Sequence, residues 1–409
     1  MELLNVDTIE AARGKIEPYI NKYLYRTKEV QIIESLDKVL AEDVYTSINV
    51  PHFRRSTVDG YAVVFSDTQG ASDTIPVFLK VIGEVEIGNE AKKSIKSGEC
   101  VYVPTGGMLP PNANAMVMIE YTEMFSENEV AIYESVPYNS NVVQIGEDIS
   151  EGELLLSKGT RIRAQEIGAM ASIGKSVVSV YDNLSVSIIS TGDELLTIDK
   201  SLLDAKIFDI NTYTLLALCE KYKMPIKRAL VLKDDEELLK NTIQEAMNDS
   251  DIVLVSGGSS KGKKDVSAKV LDELASSGVL THGISIKPGK PTITAFDEES
   301  KTLLVGLPGH PVAAMMLFEV LVMATIQEGL GKKEERTIRA KMKTNVVSAP
   351  GRTTLQLVSL SVIEGEYHAE PIYGKSGLIT TLTKADGYVV IELNNEGLKK
   401  DESVLVHIF

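Results

Sequence analysis

Apolar positions recur at helical spacing near the start of the chain, in Val6, Ile9, Ala12, Ile16 and Tyr19. Residues 5 to 45 therefore read as two helices, entered by a turn at Asn5 to Asp7. The texture changes at Val50. Between Pro51 and Tyr138 short β-rich runs (Tyr61 to Phe65, Val77 to Ile82, Cys100 to Val103, Ala115 to Glu120, Val130 to Tyr133) are separated by glycine and proline, which predicts a small all-β domain. Residues 141 to 180 return to a helical pattern after the acidic turn GEDISEGE, most clearly in Ala164 to Ile173, so the β module reads as inserted into a helical one. From Leu184 onward strand alternates with helix: VSIIS with Asn211 to Tyr222, IKRALVL with Asp235 to Met247, DIVLV with Lys264 to Ser276, and TLLVG with Pro311 to Gln327. Alternation of this kind predicts a doubly wound, mostly parallel sheet covered on both faces. Residues 336 to 409 read as short strands with turns at Pro350-Gly351 and Gly374 to Gly377. The expected fold is α/β and β multidomain. An elongated helical segment (1–49 and 141–180) carries an inserted β-rich domain (50–140), followed by a three-layer α/β domain (181–330) and a small C-terminal β domain (331–409).

Composition narrows the class. At 409 residues the chain is too long for one core, and 44% hydrophobic with 24% charged residues is ordinary for a globular protein. The formal net charge of -16 argues against a general binder of nucleic acid or anionic membrane, because phosphate backbones need a basic face. Cys100 and Cys219 stand far apart, without CxxC or Cys/His spacing, which fits a reducing cytoplasm and gives no zinc signature. MELLNVDTIEAARGK lacks a basic region followed by an apolar one. The most apolar helix, Val312 to Ile326, reads as too short for a membrane span and carries Glu319, so neither a signal peptide nor a membrane helix is expected.

Ligands of open α/β sheets bind beyond the carboxyl ends of the strands. The segments immediately after the strands here are STGDE (Ser190 to Glu194), KDD (Lys233 to Asp235), SGGSSKGKKD (Ser256 to Asp265), KPGKP (Lys287 to Pro291) and LPGHP (Leu307 to Pro311), and all five are expected to rim one crevice. Ser256, Gly257, Gly258 and Ser259 form a small-residue loop before a helix N-terminus, a setting whose N–H groups and dipole suit phosphate or a similar oxyanion. KPGKP is expected to make a type II turn that presents Lys287 and Lys290 together, and Pro311 suits a first helical position. Asp193, Glu194, Asp234 and Asp265 on the same rim would repel a phosphate unless a hard cation lay between. Mg²⁺ held by one or two carboxylates plus phosphate is the common solution. Taken singly each carboxylate has a structural alternative: Asp234 or Asp235 can cap a helix, and Asp265 can complement its dipole. A nucleotide site is a second reading, because GGSSKGKK (Gly257 to Lys264) satisfies G-x-x-x-x-G-K but places Lys264 where the metal-ligating Ser or Thr belongs.

Taken in order, the motifs resemble the molybdopterin molybdenumtransferases, the group that includes bacterial MoeA and the E domain of gephyrin. RSTVDGYAV (Arg55 to Val63), PTGGMLPPNANAMVMIE (Pro104 to Glu120), GEDI (Gly146 to Ile149), STGDEL, IFDIN (Ile207 to Asn211), SGG…G…D, IKPGKP and GLPGHPVAA succeed one another as that family's segments do. PGR (Pro350 to Arg352) and Ser376 extend the match into the last domain. The resemblance implies a MogA-like α/β domain and a cytoplasmic homodimer whose active site lies between the α/β domain of one subunit and the β-rich domain of the other. It implies a magnesium-dependent reaction of adenylylated molybdopterin with molybdate that cleaves the phosphoanhydride, inserts the metal into the dithiolene and releases AMP. A contact with the adenylyltransferase that makes the substrate is also implied.

By motif position the resemblance gives catalytic roles to Asp59, Glu194 and Asp265, and metal binding to Asp193, Glu194, Asp234 and Asp265. Substrate binding falls to Ser190, Thr191, Gly192, Ser256, Gly257, Gly258, Ser259, Lys287, Lys290, Pro308 and Pro311, with Thr105, Asp148, Arg352 and Ser376 beside Asp59 on the facing side. From the residues alone, Asp59-Gly60 is as readily a turn. The chain also departs from the pattern. Val143 and Gln144 replace an arginine found in some relatives, and Gly283 a lysine; His310 stands for Asn, Lys261 for Val and Val58 for Met. Lys261, Lys263 and Lys264 read equally as restored positive charge or as a solvated face. Two other classes stay open on the sequence, a P-loop-like nucleotide hydrolase and a non-catalytic pterin-binding scaffold of the same fold.

Overall fold

The computed structural model describes residues 6–257, 264–331 and 337–409, with Lys264 and Asp265 described by backbone alone. The chain forms two compact units, Met1–Lys28 with Tyr181–Phe409, and Glu29–Val180. In the first unit, β1 (Val186–Thr191), β2 (Ile226–Leu232), β3 (Ile252–Gly257), β4 (Val279–His282), β5 (Ile293–Asp297) and β6 (Thr302–Leu307) form one sheet in the order β2-β1-β3-β6-β5-β4. β2, β1, β3 and β6 run parallel, while β5 is antiparallel to both β6 and β4. β1 and β6 are buried along their whole length and β3 up to Ser256, which is why they read as unbroken apolar runs. Helices α1 (Asn211–Lys221), α2 (Glu236–Met247), α3 (Lys264–Leu274) and α4 (Pro311–Leu317) complete the layers. Leu239 and Ile243 of α2 and Val270 and Leu271 of α3 pack on one face of the sheet. The helix Ile9–Tyr19, α1 and α4 supply the core on the other. Asp235 caps α2, its carboxylate accepting from the Leu238 N–H at 2.8 Å, so the capping role belongs to Asp235 and not to Asp234.

Two expectations need correction. The second N-terminal helix is absent: Thr27–Gln31 is a strand and Ile32–Ser35 a 3-10 turn. In the second unit Val30 and Ile32 pack against Leu40, Val44, Ile162 and Val178, and that packing decides a short run whose period is ambiguous. The helix beginning at Pro311 is also longer than expected. It passes through a π-helical turn, Phe318–Met323, and ends at Gly329, giving 19 residues of mean hydropathy 1.5, enough by length and composition to cross a membrane. Within this fold it is a core helix, most of its residues buried, with Glu319 bonded to Lys221 at 3.0 Å and to the Tyr222 hydroxyl.

The C-terminal strands Thr337–Met342, Thr353–Ile363, Glu366–Pro371, Gly387–Ile391 and Ser403–Ile408 pair in a closed ring. Ile286–Lys287 adds to it in parallel, opposite Thr353 and Thr354. The N-terminus is tied to the same place. Asp7 N–H donates to the Gly283 carbonyl (3.0 Å), Ser285 N–H to the Asp7 carbonyl (2.7 Å), and Thr353 N–H to the Ser285 carbonyl (2.9 Å).

In the second unit six strands form a sheet: the five expected runs and Thr122–Ser126, at its edge. The expected helix there is Ala164–Ser172. Glu166 accepts from the Arg163 backbone N–H (2.8 Å) and from its Nε and Nη2 (3.1 and 2.7 Å), which holds its carboxyl down at about 2. Cys100 and Cys219 are free and buried, each in a different unit, and burial pushes both thiols up to about 12.

Two outcomes are expected of the folded protein. Neither thiol should react with a disulfide reagent such as Ellman's until denaturant is added, so fast labelling of the native chain would contradict the buried placement. Glu166 is depressed in the folded state, so its contribution is full above its ordinary value of 4.5 and is lost as the pH falls towards about 2. Arg163→Ala should move the acid-unfolding midpoint to higher pH in circular dichroism.

Candidate functional site

Parallel strands β1, β2, β3 and β6 deliver their succeeding loops to one edge of the sheet. Ser190 Oγ is 2.8 Å from Thr212 Oγ1, both buried, which fixes the end of β1 to the start of α1. Thr191 lies opposite Gly257 in register. A Cβ at Gly257 would fall 2.0 Å from the Thr191 carbonyl oxygen, and φ there is +128°, so only glycine fits. Gly192 N–H donates to the Leu232 carbonyl at 3.1 Å. Asp193 Oδ1 accepts from the Asp234 N–H at 3.2 Å, and Lys206 Nζ donates to the Asp193 carbonyl at 2.5 Å. Asp193 and Glu194, both exposed, thus share the rim with half-buried Asp234.

Among the described residues no group of three or more His, Cys, Asp or Glu is placed to hold a metal. The hard carboxylate oxygens of the two neighbouring loops still suit Mg²⁺, which commonly takes one or two protein carboxylates and completes its shell with water and phosphate. Gly258, Ser259, Lys261 and Lys263, and the side chains of Lys264 and Asp265, lie outside the described residues, and so does most of the P-loop-like stretch.

Asn211 was missed as a site residue. Its Nδ2 donates to Ser256 Oγ at 2.5 Å and to the Gly309 carbonyl at 2.9 Å, joining the loops after β3 and β6. Asp209 accepts from the Thr212 N–H at 3.2 Å. Asn211 Oδ1 and Asp209 Oδ2 are buried with no partner among the described residues, which marks this corner as polar inside the fold. The available signal was the IFDIN segment itself. A D-x-N-T string at a helix start has an ordinary capping explanation, and that explanation hid the cross-loop role.

KPGKP turns at Pro288 and Gly289, the two positions expected. The Lys287–Pro288 peptide is cis, and the chain turns through Pro288 and Gly289, whose φ is +127°. Packing sets that path, since a Cβ at Gly289 would lie 2.0 Å from Leu317 Cδ2. Lys287 and Lys290 flank the turn and are exposed. Arg352, also exposed, directly precedes Thr353, whose neighbour Thr354 is paired with Lys287. Pro308 is buried, and Pro311 occupies the first turn of α4. Ser376 Oγ lies 2.8 Å from His310 Nδ1; Ser376 and Arg352, expected beside Asp59 on the facing side, belong instead to the compact unit that carries the strand-end loops. At Gly283, φ is +99° and a Cβ would come within 3.0 Å of Val6 Cγ1; a side chain there would have to displace the N-terminal segment.

In the second unit the structure brings Asp59 and Thr105 together. The Asp59 carboxylate accepts from the Thr105 N–H at 2.7 Å, and Gly106 N–H donates to the Ser56 carbonyl at 2.8 Å. A Cβ at Gly60 would meet the Val117 carbonyl oxygen at 1.9 Å, which explains the glycine after Asp59. Asp148 is exposed on another turn, its N–H bonded to the Val50 carbonyl at 3.0 Å. Val143 pairs with Arg55.

Comparison with known proteins covers nearly the whole chain. Family models match as "MoeA N-terminal region (domain I and II)" over residues 7–174, "Probable molybdopterin binding domain" over 187–328, and "MoeA C-terminal region (domain IV)" over 339–409. A Methanocaldococcus jannaschii protein named for molybdopterin biosynthesis is 35% identical, across 99% of this chain and 98% of its own. The molybdopterin molybdenumtransferase of Haemophilus influenzae is 30% identical, across 98% of each. A crystal structure of a molybdopterin biosynthesis MoeA protein from Pyrococcus horikoshii superposes with a TM-score of 0.83 at 36% identity, covering 99% of both chains.

The Asn211 clamp has a measurable consequence. Asn211→Ala leaves the Gly309 carbonyl and the Ser256 hydroxyl without this donor and should cost about 1–3 kcal/mol in urea unfolding. An unchanged midpoint would show that the amide does not hold the loops.

Proposed function

Because the chain belongs to the molybdopterin molybdenumtransferases, enzymes of molybdenum cofactor biosynthesis, we propose that it converts adenylylated molybdopterin and molybdate into molybdenum cofactor with release of AMP. The observation that carries this reading is the convergence of two kinds of group on one unit. Carboxylates on the strand-end loops (Asp193, Glu194, Asp234) accompany Lys287, Lys290, Arg352 and the Ser376 hydroxyl, which come from the junction with the C-terminal ring. A doubly charged oxyanion and a phosphoanhydride both need cationic and N–H-rich partners.

In this reading Lys287, Lys290 and Arg352 hold molybdate, with Ser376 as a hydroxyl donor. Ser190, Thr191, Gly192, Ser256, Gly257, Gly258 and Ser259 line the pterin phosphate's place, and Pro308 and Pro311 shape the pocket wall. Asp193, Glu194, Asp234 and Asp265 would hold Mg²⁺, which when bound offsets charge on the phosphoanhydride and polarises it. Asp59, Thr105 and Asp148 act from the second subunit of a homodimer, with the Asp59 carboxylate held in place by the Thr105 N–H. The reaction belongs to the cytoplasm, and the adenylyltransferase that makes the substrate would deliver it.

The test is AMP release from adenylylated molybdopterin in the presence of Mg²⁺, with and without molybdate. Molybdate should stimulate release, and Glu194→Gln and Asp59→Asn should each lower kcat by roughly 10²–10³-fold. Release that ignores the oxyanion would contradict the proposal.

A further inference from the structure

His310 occupies the tip of the loop between β6 and α4, where the resemblance leads one to expect an amide. Its ring is exposed, and Nδ1 lies 2.8 Å from Ser376 Oγ. The contact is seated: Val312 N–H donates to the Ser376 carbonyl at 3.3 Å, and a Cβ on Gly377 would touch His310 Cδ2 at 3.9 Å. The Ser376 hydroxyl makes no second hydrogen bond among the described residues.

A serine hydroxyl has one hydrogen to give, and a neutral imidazole has one N–H and one bare nitrogen. When Nδ1 is bare, Ser376 directs its hydrogen at the ring and can offer an anion only lone pairs. When the ring is protonated, Nδ1–H donates to Ser376 Oγ, the hydroxyl hydrogen becomes available to an anion, and a positive charge is added beside it. Imidazole is the side chain that makes this change between about pH 5 and 8. The titratable groups on the elements packed against this helix include Lys375 and Lys384, on the segment carrying Ser376, Asp209 just before α1, and Tyr213, Glu220 and Lys221 of α1, the last paired with Glu319. Of these side-chain types, imidazole alone ordinarily changes charge over that range.

We infer that His310 is a proton-linked positioning residue for oxyanion binding: its protonation turns the Ser376 hydroxyl into a donor for a tetrahedral dianion such as molybdate. The inference rests on the oxyanion reading of Ser376, Lys287 and Arg352 given above. An asparagine at this position could keep a hydrogen bond to Ser376 but could not titrate.

Equilibrium dialysis of molybdate against the full chain without pterin, at about pH 6.5 and about pH 8, tests it. The wild type should bind about fivefold or more tightly at the lower pH. His310→Asn should bind with no such difference, and Ser376→Ala should bind weakly at both values. Retention of the wild-type pH dependence in either variant, or its absence from a wild type that binds molybdate, would overturn the inference. If the wild type bound no molybdate at either pH, the oxyanion reading of the site would fail and this inference with it. Ordinary binding in His310→Asn with lost pH dependence would support both.

Discussion

One buried side-chain amide joins the loops at the carboxyl edge of the sheet. Asn211 donates to Ser256 at the end of β3 and to the Gly309 carbonyl after β6, while its neighbour Thr212 is bonded to Ser190 at the end of β1. Four parallel strands, three of them buried nearly throughout, already force their loops to one edge; they do not fix where those loops stand relative to each other. Hydrogen bonds made where water is excluded do so, because any loosening would leave buried polar groups unpaired. Gly257 works with the same clamp, since its lack of a Cβ lets β3 lie against Thr191.

A second set of ties brings distant segments to that rim. The backbone passes from Asp7 to Ser285 and from Ser285 to Thr353, so the N-terminal segment, the KPGKP turn and the strand after Arg352 are joined by successive hydrogen bonds. The Asp7 carboxylate reinforces the first step by accepting from Lys15 Nζ (2.6 Å) and Thr281 Oγ1 (2.8 Å). The placement of Lys287, Lys290 and Arg352 therefore depends on three parts of the chain far apart in sequence, and at Gly283 a Cβ would come within 3.0 Å of Val6 in the N-terminal segment.

Much of the fold was legible, for identifiable reasons. β1, β3 and β6 announce themselves because burial on both faces demands continuous apolar runs, and α2 announces its start through Asp235. Gly257 and Gly60 were visible as glycines, but their purpose, avoidance of a carbonyl on a neighbouring strand, needs coordinates. Local periodicity failed at Thr27–Gln31, where long-range packing overrides a short ambiguous run. It could not reveal that Lys287 is paired with the C-terminal ring, because register between distant segments leaves no local mark. The placement of Asp193, Glu194 and Asp234 at one edge of the sheet was legible because each stands in a segment just past the end of a parallel strand. The cross-loop contacts of Asn211 and the burial of Asp209 were not, because a polar residue at a helix start already has a sufficient local explanation.

In the proposed homodimer the crevice of one subunit works with the Asp59 and Thr105 loops of the other on a single substrate. Co-expression of differently tagged Asp59→Ala and Glu194→Ala chains, with isolation of the mixed dimer, tests this most directly. Each variant alone should be nearly inactive. The mixed dimer contains one site free of both substitutions and should recover about half of the wild-type rate of molybdate-dependent AMP release. A mixed dimer as inactive as its parents would contradict the account.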